Sequence, residues 1–98
     1  MIRREILQNG EQVKVTFVLP NDPDQGRIYV AGDFNDWNPT AHLLVKRSND
    51  TRSVSVLLTP NQRYAFRYCT EDGRWFNDAA PDAYEPGPYG SDNCIVAT

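Results

Sequence analysis

The chain lacks long hydrophobic runs and has a single histidine, and each scarcity excludes a class of protein. Its apolar stretches are only a few residues long, whereas a membrane-spanning helix needs roughly 20. No apolar segment follows the charged start, so the sequence predicts a soluble, cytoplasmic protein without a signal peptide. With His42 alone, Ser-His-Asp and Cys-His catalytic sites and two-histidine metal sites are excluded. We expect His42 to be a surface or edge residue.

Basic charge and cysteine are also scarce. Ten Lys and Arg residues against thirteen Asp and Glu residues give a net charge of −3, so the chain has no positive field to hold nucleic-acid phosphates. The two cysteines, Cys69 and Cys94, form no CxxC pair, which predicts buried thiols in place of a disulfide or a zinc site. The sequence therefore predicts no metal, no cofactor, no membrane contact and no nucleic-acid partner.

The length of 98 residues predicts one domain that occupies residues 1–98. Hydrophobic residues make up 40% of the chain and aromatic residues 11%, which is enough for a packed core. The Met start and the lack of a linker-like C-terminal end favour a whole protein over an excised domain.

Period-2 alternation of apolar and polar residues takes the place of helical periodicity. Proline-rich residues 78–93 predict an ordered irregular connection, and residues 1–10 either add an edge strand or fray. Short strands without helix predict an all-β fold, an immunoglobulin-like antiparallel β-sandwich of about seven strands. The predicted strands cover residues 12–19, 27–31, 41–47, 53–58, 62–69, 74–76 and 93–98.

Seven carboxylates in or beside the predicted loops raise the question of catalysis. A glycosidase needs two carboxyl groups about 5 to 9.5 Å apart in a cleft that raises the pKa of one of them. A sandwich of this length has little room for such a cleft, and Asp commonly stabilises turns. We therefore expect no enzyme and no catalytic residue. The seven carboxylates are Asp33, Asp36, Asp72, Asp78, Asp82, Glu85 and Asp92.

The two tryptophans stand in polar, turn-rich surroundings. Trp37 lies within GDFNDWNP, and Trp75 follows a DG turn. Sugar rings have an apolar face and a rim of hydroxyls, so a site for them needs flat aromatics beside planar hydrogen-bonding groups. Arg67, Ser91 and Asn93 would supply those groups. The alternative is that both indoles close the ends of the core, and composition does not separate the two interpretations.

Four motifs occur in order along the chain: GDFNDW (32–37), YAFRY (64–68), DGRWFND (72–78) and YGSDNCIV (89–96). Together they resemble carbohydrate-binding module family 48. This glycogen-binding module is the early-set, N-terminal domain of isoamylases and branching enzymes, and it also occurs in the β subunit of AMP-activated protein kinase. The resemblance covers about residues 12–97 and implies an early-set, immunoglobulin-like sandwich.

The resemblance also implies a site for α-1,4-linked glucan. Arg67 stands where the kinase-type members have a lysine, which replaces a point donor with a planar fork, and Tyr89 stands where they have a leucine. The implied roles are stacking by Trp37 and Trp75, hydroxyl pairing by Arg67, Ser91 and Asn93, and packing against a sugar ring by Tyr89.

Two functional hypotheses follow. The first is a non-catalytic module that binds glycogen, starch-like glucan or their oligosaccharides. The second is a protein-interaction domain that docks onto a glucan-processing enzyme and has lost sugar binding. Exposed Trp37 and Trp75 on one common patch would favour sugar, whereas buried indoles beside an apolar face or an unpaired sheet edge would favour a protein partner.

Overall fold

The computed structural model describes residues 1–7, 9–88 and 90–98, which form two antiparallel sheets. The predicted β-sandwich is confirmed, and the described residues form nine strands where about seven were predicted. None of the described residues belongs to a helix with the length and apolar character that crossing a bilayer requires. In chain order the strands are β1 (Ile2–Ile6), β2 (Val13–Pro20), β3 (Ile28–Gly32), β4 (Val45–Lys46), β5 (Thr51–Leu58), β6 (Arg63–Thr70), β7 (Trp75–Phe76), β8 (Ala83–Pro86) and β9 (Asp92–Ala97).

The first sheet has the strand order β1-β2-β5-β4, and the second has the order β3-β6-β9-β8. β7 pairs with β6 next to the stretch that β9 covers. β9 pairs with Arg63 to Phe66 of β6, and β7 pairs with Tyr68 and Cys69. The two strands therefore follow one another along the same side of β6, and the junction between them lies beside Arg67.

Inward side chains of β2 and β6 form the centre of the core between the two sheets. Phe17 and Phe66 are fully buried, with ring centroids 4.9 Å apart, and Phe34 stacks on Phe17 at 5.6 Å. Tyr68 is also fully buried, and its hydroxyl donates a 2.6 Å hydrogen bond to the buried Asp78 carboxylate. The period-2 pattern of these strands is thus satisfied by one face in the core.

The prediction of two buried thiols is confirmed. Cys69 and Cys94 are both buried and free. Burial raises the pKa of each thiol, because the thiolate would lose its hydration there.

Two of the predicted elements are corrected. Residues 41–47 do not form one strand, because Leu43 bridges to Tyr29 in the second sheet while Val45 pairs with Ser53 in the first. The chain crosses between the sheets there. The predicted irregular connection over 78–93 contains β8, whose terminal Pro86 is tolerated because β8 is an edge strand. At the N-terminus, where edge strand and fraying were both open, β1 pairs with β2.

Candidate functional site

A cleft of about 490 Å³ lies on the outer face of the second sheet, away from the core. It brings together four side chains that the sequence nominated from separate motifs: Trp37, Arg67, Trp75 and Asn93. Its described lining residues are Asp33, Trp37, Ala65, Arg67, Trp75, Glu85, Pro88 and Asn93.

β6 supplies the floor of the cleft because its side chains alternate between the two faces of the sheet. Phe66 and Tyr68 occupy the core, so Ala65 and Arg67 lie on the outer face. Asn93 joins them from β9, where its neighbour Cys94 pairs with Phe66. The small Ala65 side chain leaves open space above the sheet between bulkier walls.

Trp37 is positioned by the turn that follows β3. One short 3-10 turn spans Asp33–Asn35, and Asp36 and Trp37 then adopt left-handed backbone angles, with φ of 55° and 58°. The Asp33 carboxylate accepts the indole N–H of Trp37 at 3.0 Å and the backbone N–H of Ala65 at 2.8 Å. Asp33 therefore has a structural role, as is common for Asp in turns, since its carboxylate holds the indole against the cleft floor.

Gly32 permits this close approach of the turn to the sheet. A Cβ atom at this position would lie 2.4 Å from the Ala65 carbonyl oxygen and 2.9 Å from a carbon of the Phe34 ring. Asn35 closes the turn, because its side chain accepts the Gly32 N–H at 3.0 Å and donates to the Val30 carbonyl at 3.0 Å. A glycine in extended conformation is thus required here for space.

His42 takes part in the same turn. It is half-buried, and its Nδ1 atom lies 2.9 Å from the Asn35 side-chain nitrogen. The predicted edge position is therefore correct only in part, because the ring packs edge-on to Phe34.

Arg67 is held by one hydrogen bond at the junction between β7 and β9. Its Nε atom donates to the Asn77 side-chain oxygen at 2.7 Å, and the Asn77 side-chain nitrogen donates to the Asp92 carbonyl at 3.0 Å. The terminal guanidinium nitrogens make no hydrogen bond to any residue in the described ranges. Arg67 therefore presents a fixed planar donor to the cleft.

Trp75 forms the second aromatic wall. It pairs with Cys69 across β7 and β6 on the outer face, and 41% of its surface is exposed. The turn before it is closed by the Thr70 N–H, which donates to the Arg74 carbonyl at 2.8 Å. Its neighbour Phe76 packs into the core against Tyr68, so the alternation of β7 sends the indole outward.

The structure does not test the roles implied for two nominated residues. Ser91 is exposed in the loop between β8 and β9, where its carbonyl accepts the Gly87 N–H at 3.0 Å, and it is absent from the described lining. Tyr89 lies outside the described residues. The roles implied for these two residues stay predictions.

Sequence reasoning did not nominate Ala65, Asn77, Glu85 or Pro88 for the site. Asn77 could have been found, because it lies two residues after Trp75 and alternation places both on one face. Glu85 was hidden because the prolines around it masked the alternation of β8. Within the described ranges, no cluster of three or more His, Cys, Asp or Glu side chains is arranged to hold a metal ion.

Comparison with known proteins finds similarity to part of one glucan-processing enzyme. No family model matches the chain. The chain is 33% identical over 85 residues to an amylopullulanase, a glucan-processing enzyme, from Thermoanaerobacter thermohydrosulfuricus. The match covers 82% of this chain but only 5% of the relative, so the chain corresponds to a small segment of a much longer protein.

A larger depression of about 730 Å³ lies beside β4. It carries the cationic side chains Arg27, Lys46 and Arg52 next to Glu71, and none of its described lining residues is aromatic. The buried Arg52 guanidinium already donates to the Asp22 and Gln25 carbonyls, each at 3.0 Å. This depression therefore offers no flat apolar surface for a sugar ring.

Proposed function

We propose that the protein is a non-catalytic binding module for α-1,4-linked glucan, such as glycogen or a starch-like polymer in the cytoplasm. The observation that carries this proposal is the shared cleft, in which Trp37 and Trp75 stand with Arg67 and Asn93 on one exposed sheet face. This arrangement supports the sugar-binding hypothesis over the docking one, because one patch holds both indoles, Trp75 is exposed, Trp37 is half-buried, and neither fills the core.

The chemistry of the cleft suits a neutral sugar. Asp33 already accepts the Trp37 indole N–H, so this indole offers apolar ring surface to the C–H face of a glucose unit. Arg67 supplies donors, and the amide of Asn93 supplies both a donor and an acceptor for hydroxyls at the rim. Few contacts of this kind predict a dissociation constant between about 1 μM and 1 mM, on the order of −8 to −4 kcal/mol.

The proposal includes the absence of catalysis. Asp33 and Glu85 are the carboxylates among the described lining residues of the cleft. Both oxygens of Asp33 accept hydrogen bonds, one from Ala65 and one from Trp37. Glu85 therefore has no free second carboxylate among the described lining residues with which to form a catalytic pair. The similarity to a segment of amylopullulanase supports a role beside a glucan-processing enzyme, as a substrate-holding partner or attached domain.

The experiment is an NMR titration of the 15N-labelled protein with maltoheptaose, with β-cyclodextrin as a second ligand and cellohexaose as the linkage control. We expect saturable shifts of the Trp37 and Trp75 indole N–H signals with the two α-glucans. Trp37→Ala and Trp75→Ala should each abolish these shifts while the remaining spectrum stays dispersed. Leu57→Ala is the matched control, because Leu57 is 53% exposed on the other sheet and should leave binding unchanged.

A folded protein without shifts at millimolar α-glucan would overturn the proposal. The docking hypothesis would then be tested with glucan-processing enzymes as partners. Equal shifts with cellohexaose and maltoheptaose would contradict the α-linkage preference while leaving a sugar site in place.

A further inference from the structure

A single row of polar side chains crosses the cleft from β6 through β9 to β8. Glu85 pairs directly with Asn93 across β8 and β9. Arg67 and Asn93 are the next residues beyond the paired Phe66 and Cys94 on their strands. The row therefore runs from a pure donor, Arg67, through the mixed amide of Asn93, to a pure acceptor, Glu85.

The two ends of this row differ in how they are held. Arg67 is fixed through its Nε atom by Asn77, so its position is set before any ligand arrives. Glu85 is exposed, and its carboxylate makes no hydrogen bond or ion pair with any residue in the described ranges. An ionised carboxylate that no protein donor satisfies remains available to accept hydrogen bonds from a ligand.

We infer that Glu85 makes this cleft select neutral glucan over glucan that carries phosphate monoesters. The inference rests on the proposed function and specifies its ligand class. A sugar hydroxyl both donates and accepts, so a pair of neighbouring hydroxyls can donate to Glu85 and accept from Arg67 or Asn93. A phosphate monoester carries about −1.5 to −2 charges and presents mainly acceptor oxygens. It therefore has no donor to offer the Glu85 carboxylate, and the two negative charges repel each other.

Arg67 alone would favour the opposite selectivity, because a guanidinium fork binds phosphate well. Glu85 in the same row counteracts this attraction. Removing the charge of the Glu85 carboxylate while keeping the shape of the side chain should therefore change the affinities for the two ligands in opposite directions. Glu85→Gln should strengthen binding of the phosphorylated ligand and weaken binding of the neutral one.

The experiment compares maltoheptaose with maltoheptaose that carries one 6-phosphate, by NMR titration or calorimetry at low salt. For the wild-type chain we expect the neutral ligand to bind more tightly, and we expect the Glu85 charge to account for about a threefold to tenfold change in the ratio of the two affinities, as two charges of the same sign several ångströms apart at an exposed site would give. Glu85→Gln should reduce or reverse this ratio, and added salt should shrink the ratio in the wild type. The charge-matched control is Glu5→Gln, an exposed carboxylate on β1, which should leave both affinities unchanged.

The outcomes separate this inference from the proposed function. If neither ligand binds, both are overturned. If maltoheptaose binds but the wild type treats both ligands alike, or Glu85→Gln changes both affinities in the same direction, the selectivity assigned to Glu85 is overturned and the glucan site stands. A Glu85→Gln spectrum that overlays the wild type away from β8 confirms that folding is not the cause.

Discussion

The Asp33 carboxylate connects the second sheet to the turn that follows β3. Its two oxygens accept the backbone N–H of Ala65 in the sheet and the indole N–H of Trp37 in the turn. β3 ends at Gly32, so the Ala65 N–H would otherwise face no strand partner at this point. The orientation of the first aromatic wall is therefore fixed by the same group that completes the sheet edge.

We predict that Asp33→Asn weakens both folding and sugar binding. An amide has one acceptor oxygen where the carboxylate has two, so one of the two N–H groups loses its partner. The free energy of unfolding should fall by about 1 to 3 kcal/mol in urea denaturation. The Trp37 indole N–H signal should move and the maltoheptaose affinity should fall. Asp36→Asn is the control, since Asp36 is exposed in the same turn, and an unchanged Trp37 signal in Asp33→Asn would contradict the assigned role.

Tyr68 gives the core a defined response to alkaline pH. Burial raises its pKa far above the usual value, and its hydrogen bond to Asp78 raises it further. The unfolded chain loses this proton near pH 10 while the folded chain keeps it, so stability is fully present below pH 10 and falls as pH rises beyond it.

We predict a steeper loss of stability above about pH 10 for the wild type than for Tyr68→Phe. The difference in slope should approach about 1.4 kcal/mol per pH unit, because one proton is held by the folded state only. The measurement is urea denaturation at intervals from pH 9 to 11.5. Both proteins keep the buried thiols of Cys69 and Cys94, which act in the same direction, so the comparison reports Tyr68 together with its coupling to Cys94. Parallel slopes would refute the role of Tyr68.

The sequence predicted those site residues whose type is unusual for their local surroundings. Trp37 and Trp75 stood out because both indoles stand among polar turn residues, which left a sugar site and closure of the core equally open, and both line the cleft. Asn77 and Glu85 did not stand out, because a polar residue on a strand resembles any solvated position. Their roles depend on which strands lie side by side, and that information is spread over β6 to β9.

The strands themselves show where alternation is a reliable guide. β2, β3 and β6 match their predicted ranges closely, because each has one face in the core and one outside. The prediction of one strand over residues 41–47 was wrong because this apolar segment passes from one sheet to the other. The same side of the segment therefore does not face the core along its whole length. β8 was missed because an edge strand is held mainly by backbone hydrogen bonds, which leave little trace in side-chain pattern.

The connection from β3 to the short turn provides a test at the level of elements. We predict that Gly32→Ala costs about 1 to 3 kcal/mol in urea denaturation, because the new methyl group would press on the Ala65 carbonyl, which is backbone and cannot move aside. The shift of the turn should also carry Asp33 and Trp37 away from the sheet and reduce maltoheptaose affinity. A variant with wild-type stability and affinity would show that the turn is not set by this contact.

The proposed glucan site is one small cleft of the described structure, so we expect the affinity of the molecule for a polymer to depend on how many copies act together. We predict that two copies joined by a flexible linker bind glycogen at least tenfold more tightly than one, because the second contact becomes intramolecular. Maltotriose, which is too short to reach both sites, should show no gain. A tandem protein with Trp75→Ala in one copy is the control and should return to single-copy affinity. Equal affinity of single and tandem proteins for glycogen would exclude this mode of action.

The crossing of residues 43–46 from one sheet to the other acts as a seam along one side of the sandwich. The Leu44 N–H donates to the Ile28 carbonyl of the second sheet at 2.9 Å, while the next residue, Val45, is already paired within the first. Sliding or parting of the sheets on this side must therefore break either the Leu44 bond or the two-residue pairing of β4 with β5. Deuterium uptake at the Leu44 amide would report how often the first of these two connections opens.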